Sequence, residues 1–374
     1  MSAAAPLRVM HVSHGMYLGG AERVVLEHVR HAGPGVESYV CATHSGGRSL
    51  EEAARLGART QVLSRDGGRA GALARLAGFL RRERIAVVNG HNVGGGLFAA
   101  LAGRLAGVPV IVRTEHSTHH PGPHAALYDR LLEPPLTALT HRVVCVCAAV
   151  RDAQRARTPW AERRLALIPN GISEAAPADR ATARAALGLA ADDVAVLTVA
   201  SLTPAKAQDV LVEAFALVAR TVPAARLLLA GDGPLRPGLE ERSRRLGLEG
   251  RVRFLGARDD VPALFAAADL FVLSSVREGL SLSLLEAMRA GRAAVVTDVG
   301  GNREACVPGE TGLLVPVGDV AALARSLAEL ATDGATREAW GRTARRRWEE
   351  TFTADHMVRQ TEALYRGLLS ATTS

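Results

Sequence analysis

Leu270-Phe271-Val272-Leu273-Ser274-Ser275-Val276-Arg277-Glu278-Gly279-Leu280-Ser281-Leu282-Ser283-Leu284-Leu285-Glu286-Ala287-Met288 is the stretch from which the fold can be read. Four consecutive apolar residues, Leu270 to Leu273, predict a short strand buried on both faces, as in a parallel sheet. A polar loop carrying Glu278 and Gly279 follows, and a helix is expected to begin near Ser281. Strand, loop and helix in this order form half of a βαβ unit, and the same order recurs on both sides of the segment.

Working outward, strands are expected at Val194–Ala200, Arg226–Ala230, Val252–Leu255, Leu270–Leu273 and Ala293–Thr297. An earlier series is expected at Leu7–Val12, Ser38–Thr43, Thr60–Leu63, Ile85–Asn89, Pro109–Arg113 and Arg142–Val146, with helices such as Ala21–Ala32 and Gly94–Ala106 between them. The linker Asn170 to Pro177 separates the two series, and Asp319 to Leu369 reads as helical. Two doubly wound α/β domains follow, each with its ligand crevice at the carboxyl ends of its strands. The expected boundaries are 1–170, 171–350 and a final helical segment, 351–374, returning to the first domain.

Composition agrees with this reading. The 374 residues are 48% hydrophobic, 22% charged and 4% aromatic, enough to bury two cores and unlike a disordered, collagenous or disulfide-stapled chain. Neither a signal-type start nor a membrane-length apolar run is present, so a cytoplasmic protein is expected. Cys41, Cys145, Cys147 and Cys306 lack metal-ligand spacing and read as buried thiols. The net charge of +7 is spread along the chain without aromatic interleaving, which points away from nucleic acid. Attraction to an anionic membrane surface or a phosphorylated substrate fits the charge as well. Among 45 basic residues there is one lysine, Lys206. Where nearly every basic position is arginine, a retained lysine points to a need for a compact ammonium.

Three segments carry candidate chemistry. His14-Gly15-Met16-Tyr17-Leu18-Gly19-Gly20-Ala21-Glu22 follows the first strand and opens a helix, so backbone N–H groups at Gly19 and Gly20 can approach a phosphate. An ordinary strand-to-helix turn is the plainer reading, and Gly-x-Gly-x-x-Gly is absent, against a nicotinamide dehydrogenase. Ser201 to Asp209 places Lys206 after the first strand of the second domain, within reach of an anion in the crevice. In the third segment Glu286 lies on the second helical turn while Glu278 stays at the helix mouth beside the amides of Gly279, Leu280 and Ser281. Carboxylates suit vicinal hydroxyls and free amides suit phosphate oxygens. In the plainer reading Glu278 is a helix N-terminal acid favoured by the dipole and Glu286 a solvated helix residue, but the flanking Leu284, Leu285, Ala287 and Met288 speak against full solvation of Glu286.

These residues resemble the retaining glycosyltransferases of family 4, group 1, of the GT-B fold. The likeness runs through Gly19-Gly20-Ala21-Glu22, Ile168-Pro169-Asn170-Gly171, Lys206, Gly231-Asp232-Gly233-Pro234-Leu235, Phe254-Leu255-Gly256, the pair Glu278 and Glu286, and Asp298-Val299-Gly300-Gly301-Asn302-Arg303-Glu304. It covers essentially the whole chain and implies two Rossmann-like domains facing an interdomain cleft. It also implies that Glu286 holds the ribose of a nucleotide diphosphate sugar and that Glu278 contacts the donor sugar. Lys206 would neutralise the diphosphate, helped by Gly19, Gly20 and the amides after Glu278. No metal and no cofactor are expected, the nucleotide sugar being a co-substrate.

The sequence departs from the family at Ala200-Ser201-Leu202, where the resemblance calls for Gly-Arg-Leu. Ser201 replaces the arginine that pairs with the lysine, leaving Arg303 or Arg23 to cover the diphosphate, or turnover slow.

In the first domain, His116 matches a family histidine close to the donor sugar, and a pKa near working pH is expected for it. His91, in Asn89-Gly90-His91-Asn92, is a second candidate. His116, His119, His120 and His124 cluster without the companion ligands of a metal site, and Pro121 and Pro123 break their spacing. Arg69 to Arg84 reads as a packed helix, with a membrane-surface contact for a lipid-linked acceptor as the alternative. The expected activity is transfer of a hexose-type sugar to a glycan or lipid-linked acceptor in cell-surface polysaccharide or glycolipid synthesis. The alternatives are a nucleotide-sugar epimerase or hydrolase of the same fold, or a catalytically lapsed binding homologue.

Overall fold

The computed structural model describes residues 6–17, 19–63, 68–119 and 125–373. The chain divides into two compact units, 1–173 with 353–374, and 174–352.

The first unit contains β1 (Leu7–Gly15), β2 (Val36–Ser45), β3 (Arg59–Val62), β4 (Val87–His91), β5 (Val110–Glu115), β6 (Arg142–Cys145) and β7 (Leu165–Leu167). They form one sheet in the order β3-β2-β1-β4-β5-β6-β7, every pairing parallel. The strand order reverses between β1 and β4, where the loops leaving their carboxyl ends diverge and a crevice opens. Met10, Val12, Val88 and Ile111 bury one sheet face against Leu76 and Leu80 of the helix Gly68–Arg82. That helix turns Arg75, Arg81 and Arg82 outward and its leucines inward, so its apolar stripe is spent on the core and is not offered to a membrane surface.

The last helix, Ala354–Thr373, belongs to this unit. Its entry pairs with the linker, Ala354 N–H donating to Ile172 O at 3.0 Å. Gly171 is required here, because a Cβ would strike the Thr353 carbonyl. Further along, the Tyr365 hydroxyl accepts from Asn89 Nδ2 at 2.8 Å.

The second unit contains β8 (Val194–Val199), β9 (Ala225–Ala230), β10 (Val252–Gly256), β11 (Leu270–Leu273), β12 (Ala294–Thr297) and β13 (Gly312–Val315), in the parallel order β10-β9-β8-β11-β12-β13. Its switch point lies between β8 and β11. Val196, Leu227, Leu229, Leu270, Val272 and Val295 pack against Leu211, Phe215, Leu327 and Leu330 from the covering helices. Both units are therefore Rossmann-like, doubly wound parallel sheets.

The short edge strands β7 and β13 are absent from the sequence reading, and β4 runs two residues later than expected. All four cysteines are buried, and burial pushes the Cys41 and Cys145 thiols up to about 12 and Cys306 to about 11. No described helix is long and apolar enough to cross a membrane.

Candidate functional site

In the second unit the loops after β8 and β11 meet at the switch point. The turn Pro204–Lys206 ends at Ala207, whose φ of 46° and ψ of 46° lie in the left-handed region that a Cβ disfavours. Four hydrogen bonds hold the two loops in place. Ser274 Oγ donates to the carbonyls of Lys206 and Ala207, at 2.9 and 3.0 Å. Val276 N–H donates to Ala205 O at 2.9 Å, and Thr297 Oγ1 to Ser275 O at 2.6 Å.

This frame puts Lys206 Nζ 2.6 Å from Glu278 Oε1, which also accepts from Ser275 Oγ at 2.6 Å. The Lys206 side chain is 23% exposed and that of Glu278 8%, so the pair is shielded more than a surface ion pair. Gly300, at φ 53°, lies directly under the Glu278 and Gly279 carbonyls, where a Cβ would collide with both. Ser281 caps the helix Leu282–Arg289, its Oγ accepting from Leu284 N–H at 3.4 Å. Gly279, Leu280 and Ser281 line the mouth of that helix, and Glu286 is 2% exposed on its second turn. Lys206, Glu278 and the amide turn thus gather at one helix end, with Glu286 on the next turn of the same helix.

Ser201 is exposed, and its carbonyl accepts from the buried Gln208 Nε2 at 2.9 Å. Gly231 and Gly233 lie against the carbonyls of Ala200 and Leu202, leaving no room for a Cβ. Arg303, one candidate to replace the missing arginine, is engaged by Asp298, with Nε donating to Oδ1 at 2.8 Å. Both side chains are exposed enough for that pair to open at small cost.

In the first unit Gly19 is the N-cap of the helix Gly20–Arg30, and the Glu22 carboxylate folds back against it. The helix start is therefore already answered by an acid of its own first turn. His116 follows β5 at the carboxyl edge of the sheet, half-buried. Its Nε2 shares a hydrogen bond of 3.0 Å with His91 Nδ1, and His91 Nε2 shares another of 3.0 Å with His11 Nδ1. His28 stacks on His11 with ring centroids 5.0 Å apart.

Burial pushes His116 down to about 3 and His28 down to about 4, and holds His11 and His91 well below the ordinary histidine value. The expectation that His116 titrates near working pH is thus corrected, because the site is too dry for an imidazolium. Glu115, buried beside the Arg113–Glu133 pair, moves the other way, up to about 7.

These shifts predict how the first unit responds to acid. As pH falls below about 6.5, the unfolded chain takes up protons on four histidines that the folded chain refuses, so their stabilisation is lost progressively toward pH 4. The loss approaches about 1.4 kcal/mol per pH unit for each imidazole. Glu115 and Glu22, whose folded carboxyls hold protons more tightly, oppose this with stability that disappears as pH rises. His141, also held below the ordinary histidine value by burial, joins the four imidazoles, and five groups outweigh two, so the urea midpoint of the first unit should fall between pH 7 and pH 5. A flat midpoint would contradict this accounting.

The sequence reading missed His11 and His28. A signal was available: His11 lies in the middle of β1, while His91 ends β4 and His116 follows β5, and these three strands are neighbours in the sheet. His119 is exposed, while His120, Pro121, Pro123, His124 and Leu18 lie outside the described residues. Among the described residues no group of three or more His, Cys, Asp or Glu is arranged to hold a metal ion.

Residues 179–347 match the glycosyl transferases group 1 family, and residues 18–175 match Glycosyltransferase Family 4. The alpha-D-kanosaminyltransferase of Streptomyces kanamyceticus is 32% identical over 277 residues, 69% of this chain and 71% of that protein. The UDP-Gal:alpha-D-GlcNAc-diphosphoundecaprenol alpha-1,3-galactosyltransferase of Escherichia coli is 26% identical over 266 residues, 68% of each protein. Coverage is not uniform, since EpsD of Bacillus subtilis, 35% identical over 154 residues, is matched over 40% of its length. Anabaena Alr3699/HepE, crystallised with UDP and glucose, shares the fold with a TM-score of 0.86 over 96% of this chain and 100% of that one, at 21% identity. Two doubly wound sheets and this likeness define a GT-B protein. The chain belongs to the glycosyl transferases group 1 and is a glycosyltransferase.

Proposed function

We propose that the protein moves a hexose-type sugar, with retention and without a metal, from a nucleotide diphosphate sugar to a glycan or lipid-linked acceptor at the cytoplasmic side of cell-surface polysaccharide or glycolipid synthesis. The observation that carries this reading is the Lys206–Glu278 pair at the switch point, beside the amides of Gly279, Leu280 and Ser281 and on the helix that bears Glu286. On binding, the diphosphate takes over Lys206 from Glu278. Glu278 keeps Ser275 and turns its freed capacity to a sugar hydroxyl, while Glu286 accepts from the ribose hydroxyls. The charge on the departing diphosphate is then met by a positioned ammonium and by amides that need not reorganise. The acceptor hydroxyl approaches from the face the diphosphate leaves, so no protein nucleophile is required. His116 offers a neutral imidazole to the donor sugar.

A lapsed, nucleotide-sugar-binding protein is the second reading, favoured by the exposed Ser201 at the arginine position. Incubation with uridine, guanosine, adenosine and thymidine diphosphate sugars, with and without glycan and lipid-linked acceptors, separates the possibilities. Acceptor-dependent release of nucleoside diphosphate is the expected result. Release without acceptor indicates hydrolysis or epimerisation, and binding without release indicates the lapsed protein.

A further inference from the structure

His28, His11, His91 and His116 form a continuous row of imidazoles reaching from the helix Gly20–Arg30 through β1 and β4 to the end of β5. Stacking joins His28 to His11, and hydrogen bonds of 3.0 Å join His11 to His91 and His91 to His116. The His91 and His116 rings are also nearly parallel, 21° apart with centroids at 5.3 Å. His11, His28 and His91 are 3%, 7% and 1% exposed. The backbone leaving His91 is itself held in an uncommon conformation, Asn92 at φ 54°.

A neutral imidazole has one N–H and one lone pair, so a row bonded nitrogen to nitrogen couples the tautomers of its members. If His91 donates through Nδ1 to His116 Nε2, His91 Nε2 must accept from His11 Nδ1, and His116 carries its proton on Nδ1. If His116 donates instead, both bonds of the row reverse, His91 Nε2 donating to His11 Nδ1, and His116 Nδ1 becomes an acceptor. A mixed arrangement would require His91 to hold two protons or none, and the dry surroundings oppose either charge.

We infer that His91 and His11 are positioning residues that hold His116 neutral, in one tautomer and one ring orientation, so that its Nδ1 presents a fixed hydrogen-bonding role at the sheet's carboxyl edge. This rests on the proposed contact of His116 with the donor sugar. A purely structural core at these positions would be met more cheaply by apolar side chains, since each buried imidazole must keep a partner. The electrostatic neighbours of His91 are His11, His116 and His28, and that of His116 is His28. The nearby ionisable groups are engaged elsewhere: Glu133 with Arg113, Glu27 with Arg30 and Ser173, and the Tyr365 hydroxyl with Asn89. Glu115 faces the Arg113 side.

Nitrogen-15 NMR of the histidine-labelled full chain, titrated from pH 8 to pH 5, reads the row directly. His91 and His116 are expected to stay neutral, each as one tautomer of the same sense. Averaged tautomers, or titration near pH 6.5, would overturn the inference. His91→Leu should lower kcat about tenfold or more with the donor KM nearly unchanged, as loss of an orienting partner does, and should release His116 into tautomer exchange. His91→Gln, which can still donate and accept, should restore much of the rate. Wild-type kcat and a single His116 tautomer in His91→Leu would overturn the inference, and the variant's far-UV circular dichroism and the urea unfolding transition of the first unit check that it has folded. A locked row together with a His116→Ala variant of unchanged turnover would instead overturn the sugar contact on which the inference rests.

Discussion

Replacing Lys206 by alanine should lower kcat by about a hundredfold to a thousandfold, the scale expected when one preorganised group facing transition-state charge is lost. Lys206 follows β8 and Glu278 follows β11, strands adjacent at the switch point, and the 2.6 Å contact between them exists because Ser274 and Val276 tie the two loops together. Donor binding should suffer less than turnover, because the charge that Lys206 meets grows as the sugar–phosphate bond breaks. Lys206→Arg should not restore the rate, since a planar guanidinium cannot take the place of a compact ammonium in a contact this short. The alanine variant also leaves Glu278 with Ser275 as its remaining partner in a shielded site, so a lower Tm should accompany the lost activity. Steady-state kinetics with a saturating acceptor checks the result; a change in kcat of less than threefold would remove Lys206 from the diphosphate.

How much of this was legible in the chain depends on the range of each interaction. Leu270–Leu273 declared itself a strand because an interior strand must be apolar on both faces. The edge strands Leu165–Leu167 and Gly312–Val315 did not, because three apolar residues in a row are too short a run to separate a strand from a loop packed on the core. Leu167 is in fact 38% exposed. The apolar flanks Leu284, Leu285, Ala287 and Met288 spoke against full solvation of Glu286, and the structure goes further and buries it. Lys206 was legible from its singularity, whereas the turn that aims it was not. Ala207 adopts a left-handed conformation that an alanine does not advertise, and it is held there by Ser274, 67 residues away.

The imidazole row shows the same limit more sharply. His11 and His91 are 80 positions apart and His91 and His116 are 25 apart, so their contact follows from strand order rather than from any local pattern. The protonation of His116 was misjudged for the same reason, because the dryness that lowers it is created by residues from three strands and a helix. Ser201 remains a departure visible in sequence; in the second unit its carbonyl accepts a hydrogen bond from Gln208, and Arg303, one candidate to stand in for the arginine, is held by Asp298.

Glu286→Gln should weaken nucleoside diphosphate binding about thirtyfold or more, equivalent to about 2 kcal/mol, while leaving the fold intact. Glutamine preserves the volume of a side chain that is 2% exposed among tightly packed leucines, so the effect isolates the carboxylate from the packing. A carboxylate accepts from two neighbouring hydroxyls at once, whereas an amide offers one oxygen and presents N–H groups to the other hydroxyl. Calorimetric titration of wild type and variant with a nucleoside diphosphate and with its 2′-deoxy counterpart tests the assignment without an acceptor or turnover. Wild type should prefer the ribonucleotide about tenfold or more, and Glu286→Gln should erase most of that preference. If the variant lost affinity equally for both nucleotides, Glu286 would be supporting the helix mouth and its amides rather than gripping the ribose. Equal preference in wild type and variant would separate the carboxylate from the sugar hydroxyls altogether.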